Sequence, residues 1–165
     1  MCVLPTAYLG PQSYYHELLR ADEVEIEAWE SFPKRTCRNR CRIAGVNGVQ
    51  TLTIPVEKCD SKQWTKDVKI VYWQPWQQQH WMAMRSAYEH TPYFEYLEDR
   101  FRPHYEKEVK YLLDWNMMLM EKQVLLKSFL VATINILYHL FYIHPQKYLV
   151  HMICQIDPYS SCNYD

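Results

Sequence analysis

Apolar and polar positions change period several times along this chain, and each change predicts an element. Residues 2–8 (Cys-Val-Leu-Pro-Thr-Ala-Tyr) read as a short strand, closed by Gly10-Pro11. Tyr14, Tyr15, Leu18 and Leu19 then fall at helical spacing and predict a helix at about 12–21, with Pro11 near its first turn. Val24-Glu25-Ile26-Glu27-Ala28-Trp29 alternates as a half-buried strand does. Strand, short helix and strand make a βαβ unit, which implies a parallel pair. A loop through Pro33 leads to strand-like stretches at 36–44 and 49–56. Between them lies Asn47-Gly48, the pair a tight hairpin prefers because its central residues need positive φ.

Residues 67–72 alternate again and predict one more strand, after which the period becomes helical. A helix over roughly 75–90 places Trp81, Met84 and Tyr88 on a core stripe, with Gln78, Arg85 and Glu89 toward water. Thr91-Pro92 restarts the chain as a short helix with Phe94 and Leu97 turned inward. A longer helix over about 104–127 carries Val109, Leu112, Leu113 and Met117. The order predicts an α/β fold: an N-terminal βαβ unit, an added antiparallel hairpin, then several helices. At 165 residues one domain is the default, with 1–127 as its body.

The tail breaks the pattern. Residues 128–146 carry no Lys, Arg, Asp or Glu and reach the length of a membrane span. Ser128, Thr133, Asn135, His139, His144 and Gln146 dilute the run, however, and Pro145 interrupts its end. A packed apolar helix is the preferred reading, with membrane attachment through 128–146 as the alternative. The stretch from His151 to Asp165 has no periodicity, so 128–165 is taken as a divergent tail of the same domain.

Composition adds two constraints. Six Trp and fourteen Tyr supply enough rings to line a ligand pocket as well as fill a core. A net charge of −1 gives no reason to expect nucleic acid as a partner. The charge is unevenly spread: residues 16–30 hold six acids against Arg20, whereas residues 31–72 hold nine bases against three acids. That basic centre suits a phosphate-bearing ligand, or is a solvated basic face. The start has no basic segment followed by an apolar run, so a reducing cytoplasm is expected, with the six Cys as thiols. Cys37 and Cys41 lack the spacing and the second pair that a zinc site would use, and no metal site is predicted.

Three constellations carry candidate chemistry, each with a plainer alternative. Read as a strand, Arg38 and Arg40 share one face and Asn39 and Cys41 the other. With Lys34 the two guanidiniums can grip a pyrophosphate or carboxylate, and Asn39 can read a polar ligand. Alternatively they brace the fold. Trp76 and His80 are one helical turn apart, so a single pocket can receive both, the ring to stack on a sugar and the imidazole as general base. A core histidine is the competing reading. Glu25 and Glu27 form an acidic strand face, best read as solvated. No phosphate loop, dinucleotide fingerprint, HExxH or GxSxG occurs, so no cofactor is indicated.

Arg38-Asn39-Arg40-Cys41, Asn47-Gly48 and Leu52-Thr53-Ile54-Pro55-Val56 resemble the WbqC-like family of bacterial proteins. The likeness extends, in order, through Tyr8, Pro11 and Tyr15, then Glu25 and Glu27, then Lys34, Asn39 and Arg40, then Trp76 with His80. Ser86-Ala87-Tyr88 and Pro92-Tyr93-Phe94 complete it, so about 1–120 is covered. Two departures stand out. Many relatives have His-Gln-Pro before the tyrosine, where this chain has Leu4-Pro5-Thr6-Ala7, and the segment after about 128 lacks their polar, Gly- and Pro-rich close. A truncation or a shifted reading frame would explain the latter as well as divergence does. The resemblance implies a cytoplasmic role in surface-polysaccharide (O-antigen type) biosynthesis, as a glycine or acyl-group transferase acting on a nucleotide-sugar or other phosphorylated sugar. It places Tyr8, Lys34, Arg38, Asn39, Arg40 and Trp76 as substrate-binding residues and His80 as the catalytic base. The competing expectation is a non-catalytic binding or scaffold protein of the same pathway.

Overall fold

The computed structural model describes residues 1–124 apart from 46, 60, 61, 92 and 93. Strand β1 (Cys2–Pro5) and strand β2 (Val24–Glu27) flank helix α1 (Gln12–Arg20) and pair in parallel, Cys2 opposite Val24. This is the βαβ unit that the alternation predicts. Strands β3 (Arg40–Gly45) and β4 (Gly48–Thr53) form a separate antiparallel pair. Helices α2 (Trp76–Tyr88) and α3 (Phe94–Tyr105) follow, and α4 runs over 112–124. Helix α2 packs on β3, and α3 packs on α2. The fold is α/β, as expected. Among the described residues, no helix is long and apolar enough to cross a membrane, and 128–146 lies outside them.

Several boundaries move, each for a local reason. The first strand ends at Pro5 and not at Tyr8, because Leu9 enters the left-handed region at φ 46° and turns the chain toward α1. Gly10 completes that turn: a Cβ there would stand 3.0 Å from the Tyr14 ring and 3.2 Å from Ala7 Cβ. The hairpin closes one residue earlier than Asn47-Gly48 implies. Gly45 pairs with Gly48, and Gly48, at φ 113°, is the first residue of β4. The strand expected at 36–44 starts only at Arg40. Arg35 is left-handed (φ 65°) and Asn39 N–H reaches back to the Thr36 carbonyl, so 36–39 is a turn.

The strand expected at 67–72 is replaced by a 3-10 turn, Thr65–Asp67, and isolated bridges. Lys69 bridges to Tyr111 and Ile70 to Val56. Those bridges also explain why 104–127 is not one helix. Ile70 N–H donates to the Lys110 carbonyl (3.0 Å) and Leu112 N–H to the Val68 carbonyl (2.9 Å). Residues near 110 thus satisfy their backbone across the chain and not along a helix. Pro103, inside α3, already removes one helical hydrogen bond two residues before that helix ends.

The main core gathers Ile43, Leu52, Ile54, Val68, Trp76, Tyr105, Leu112, Trp115 and Leu119, with Trp81, Met84 and Tyr88 packed against it. A smaller cluster of Ala7, Tyr14 and Tyr15 packs against Met120 and Val124 of α4. Helix α4 therefore serves both clusters. Its deepest face is Leu112, Trp115, Asn116 and Leu119, an i, i+3, i+4, i+7 stripe, while Leu113 and Met117 are only partly buried. Trp115 is fully buried and meets both Trp76 and Tyr105 edge-on. Trp115→Ala should therefore destabilise the protein by about 3–5 kcal/mol, read from urea unfolding, because a cavity that size cannot collapse between three helices.

Candidate functional site

The turn at Leu9-Gly10 aims Tyr8 inward, and Tyr8 N–H is fixed on the Cys37 carbonyl at 2.9 Å. The side chain is fully buried. Its hydroxyl lies 2.9 Å from His80 Nδ1 and 2.9 Å from the Tyr105 hydroxyl, joining α2 to the end of α3. The Tyr8 and His80 rings also stack, centroids 5.7 Å apart. Helix α2 starts after Pro75, which stands at its N-cap, and its one-turn spacing puts Trp76 and His80 on the buried face. Trp76 meets the imidazole edge-on at 5.1 Å.

Burial sets the charge state of this group. It pushes His80 down to about 4, against which a backbone hydrogen bond with Thr53 works. A backbone bond that favours the protonated ring is one in which a ring N–H donates to a carbonyl. With Nδ1 facing Tyr8, that N–H belongs to Nε2. Neutral His80 then accepts from the Tyr8 hydroxyl, and Tyr8 accepts from Tyr105. Burial first, then the neighbouring Tyr105, raises the Tyr8 hydroxyl well above its ordinary value. Burial also raises Tyr105, although its bond to Tyr8 pulls the other way. The result is a neutral, buried chain that joins Tyr105, Tyr8 and His80.

Among the described residues, the buried polar atoms with no hydrogen-bond partner are the indole nitrogens of Trp76 and Trp115, Arg40 Nε, and the side-chain oxygens of Asn39, Asn116 and Gln123. Such atoms are uncommon in a folded interior and are candidate ligand contacts. Trp76 and Trp115 offer donors from rings 5.1 Å apart. Asn39 and Asn116 offer acceptors. No group of three or more His, Cys, Asp or Glu side chains that could hold a metal occurs among the described residues.

The turn before β3 gathers the other candidate residues. Asn39 is buried, donates from Nδ2 to the Ile54 carbonyl (3.1 Å), and accepts Ile54 N–H on its own carbonyl (2.8 Å). Asn116 donates from α4 to the Arg38 carbonyl (2.8 Å) and to Thr6 Oγ1 (3.1 Å). The Arg38 guanidinium forms a two-pronged ion pair with the partly buried Glu30. Arg40 opens β3 opposite Thr53, partly buried, and Lys34 is exposed on the preceding loop. Asn39 and Cys41 are both buried, and Cys41 lies close enough to Tyr8 and Tyr105 to act on their titration.

Of the seven candidate residues, Tyr8, Trp76 and His80 meet directly. Asn39, Arg38 and Arg40 line the adjoining turn and strand start, and Lys34 stands apart from both. Tyr105, Trp115 and Asn116 belong to the same arrangement and escape the sequence reading. A usable signal for two of them existed in the stripe Leu112, Trp115, Asn116 and Leu119.

The motif order that this geometry assembles matches one family model, over residues 6–153. The chain belongs to the WbqC-like protein family. The matched length holds every candidate residue and extends beyond the 1–120 covered by the motif likeness. No curated protein and no solved structure matches the chain. In this WbqC-like chain the signature residues Tyr8, Asn39, Trp76 and His80 are all buried.

His80 makes the group pH-sensitive. Its folded value is depressed from 6.5 to about 4, so the unfolded chain takes up the proton first as pH falls. The associated stability is complete above pH 6.5 and is lost as pH falls toward 4, a difference of about 3 kcal/mol. Melting temperature measured across that window should fall in the wild type, and the part due to this residue should vanish in His80→Gln.

Proposed function

We propose that this WbqC-like chain serves the biosynthesis of surface polysaccharide of the O-antigen type by binding an activated, phosphate-bearing sugar in the cytoplasm. The observation that carries the reading is the set of buried polar atoms on Trp76, Trp115, Asn39 and Asn116 that have no hydrogen-bond partner among the described residues, with the Trp76 ring packed against His80. Donors and acceptors together, framed by aromatic rings, suit a polyhydroxylated ligand. Arg40, at the start of β3, adds positive charge for phosphate. Arg38 contributes through its remaining donors while Glu30 holds the guanidinium in place.

The chemistry proposed for that sugar is transfer of a glycine or other acyl group. The sugar's amine or hydroxyl attacks the activated carbonyl, its proton passes to His80 Nδ1, and the acyl carrier leaves. This requires Tyr8 to release Nδ1, after which the Tyr8 hydroxyl can turn wholly to Tyr105. A second reading, a non-catalytic binding or scaffold protein of the same pathway, is favoured by one specific observation. His80 Nδ1 is engaged by the Tyr8 hydroxyl, and the residue is 5% exposed.

Two measurements separate these readings. A uridine-diphosphate-linked amino sugar should raise the melting temperature of the wild type, and a failure of such donors to do so would remove the sugar-binding claim. Incubation of the same sugar with an activated glycyl or acyl donor should then yield an acylated product. Formation of that product by His80→Gln at the wild-type rate rules out His80 as the base. Binding without product identifies the scaffold.

A further inference from the structure

A second feature lies on the surface and shares no residue with the buried group. Residues 28–32 and 63–66 run antiparallel: Lys66 N–H donates to the Ala28 carbonyl, Thr65 N–H to the Glu30 carbonyl and Phe32 N–H to the Gln63 carbonyl, at 2.9–3.1 Å. A bridge joins Ser31 to Trp64. Phe32 and Thr65 point inward and are buried, which anchors both segments. Their neighbours Trp29 and Trp64 point out, 62% and 45% exposed. The two indoles stand 6.3 Å apart with planes at 70°, so they form a corner and not a flat face. Lys66 Nζ lies 3.4 Å from the Trp29 ring centroid. Trp29 N–H is held by Glu27 Oε1 at 2.7 Å.

Leaving two adjacent indoles in water forgoes hydrophobic stabilisation, and such patches mark binding surfaces. Their backbone pairing makes the corner a built feature of the fold. We propose that Trp29, Trp64 and Lys66 form a surface subsite for an acidic saccharide. A pyranose presents a C–H face that packs on an indole while its hydroxyls stay in water, and the angled second ring covers its edge. The Lys66 ammonium, a compact point charge on a flexible stem, meets the carboxylate or phosphate. Charge complementarity favours an acidic sugar over a neutral one. Residues 62–67 carry Lys62 and Lys66 against Asp67, and Lys66 is the charge held at the Trp29 ring. Of the nearby carboxylates, Glu27 is bonded to Trp29 N–H and Glu30 is neutralised by Arg38. The subsite stands independently of the reaction proposed above.

Isothermal titration calorimetry of the full chain tests it, with tetragalacturonate as the acidic probe, maltotetraose as the neutral one, and phosphatidylglycerol vesicles as an apolar, anionic surface. Tetragalacturonate should bind. Trp29→Ala and Trp64→Ala should each weaken it roughly tenfold, the loss of about one stacking contact, while Trp29→Tyr and Trp64→Tyr keep most of the affinity. Lys66→Gln should bring tetragalacturonate down to the level of maltotetraose. Trp73→Ala, which removes an exposed indole elsewhere, should leave binding intact. No heat with tetragalacturonate up to roughly millimolar concentration overturns the proposal. So does an equal loss in Trp73→Ala, or binding to vesicles in place of the saccharide.

Discussion

Tyr8 carries its hydroxyl to a place without water, and a hydroxyl there has to be bonded to persist. That requirement ties three distant parts of the chain together. His80 on α2 supplies the acceptor and Tyr105 at the end of α3 the donor, 72 and 97 residues away in sequence. The backbone adapts to the same end: Leu9 accepts a left-handed conformation and Gly10 a close approach to Tyr14 and Ala7, so that the chain turns directly after Tyr8. The packing of α3 on α2 is thereby tied to the turn that follows β1.

The turn at 36–39 answers a similar constraint with different groups. A turn running into the interior leaves carbonyls and N–H groups that water cannot reach. Cys37 O is taken by Tyr8 N–H, Arg38 O by Asn116, and Asn39 O by Ile54 N–H. Arg38 is pinned from outside by Glu30, with Thr36 Oγ1 on a third donor. Each signature residue in this stretch thus has a structural task that can be named. For Arg38 and for Nδ2 of Asn39 the task accounts for the group's bonds. For Asn39 Oδ1 and Arg40 Nε it does not, and it is these atoms that the sugar-binding proposal uses.

Much of the fold is legible in local pattern, because local rules govern it. The βαβ unit follows from alternation on either side of a helical stripe, and α2 from the spacing of Trp81, Met84 and Tyr88. Failures occur where a distant partner decides. Residues 106–111 have the composition of a helix, yet Val68 and Ile70 offer them backbone partners that no periodicity reveals. Thr36–Asn39 alternates like a strand, but Asn116, 77 residues beyond Asn39, makes a turn the better arrangement. Trp76 and His80 are legible as a pair from their one-turn spacing. That Tyr8 completes them is not, because the Leu9 turn that aims it has no sequence marker beyond the following Gly10-Pro11. The exposed corner of Trp29 and Trp64 is equally hidden, since the two rings come from segments 35 residues apart.

The contrast between the buried group and that corner bears on what a family signature records. Tyr8, Asn39, Trp76 and His80 are among the residues by which this chain resembles its family, and these four are buried within the fold. A signature of this kind reports first on a shared architecture, whose satisfied hydrogen bonds are costly to alter. Chemistry, where it is present, has to use what that architecture leaves over. Among the described residues the remainder is small: two indole donors, three amide acceptors, one guanidinium nitrogen, and an imidazole nitrogen that Tyr8 faces. A sugar that displaced Tyr8 from Nδ1 would exchange one hydroxyl for another, leaving the count of buried hydrogen bonds unchanged. On the proposal above, such an exchange is how His80 would reach substrate while its packing against Trp76 stays in place.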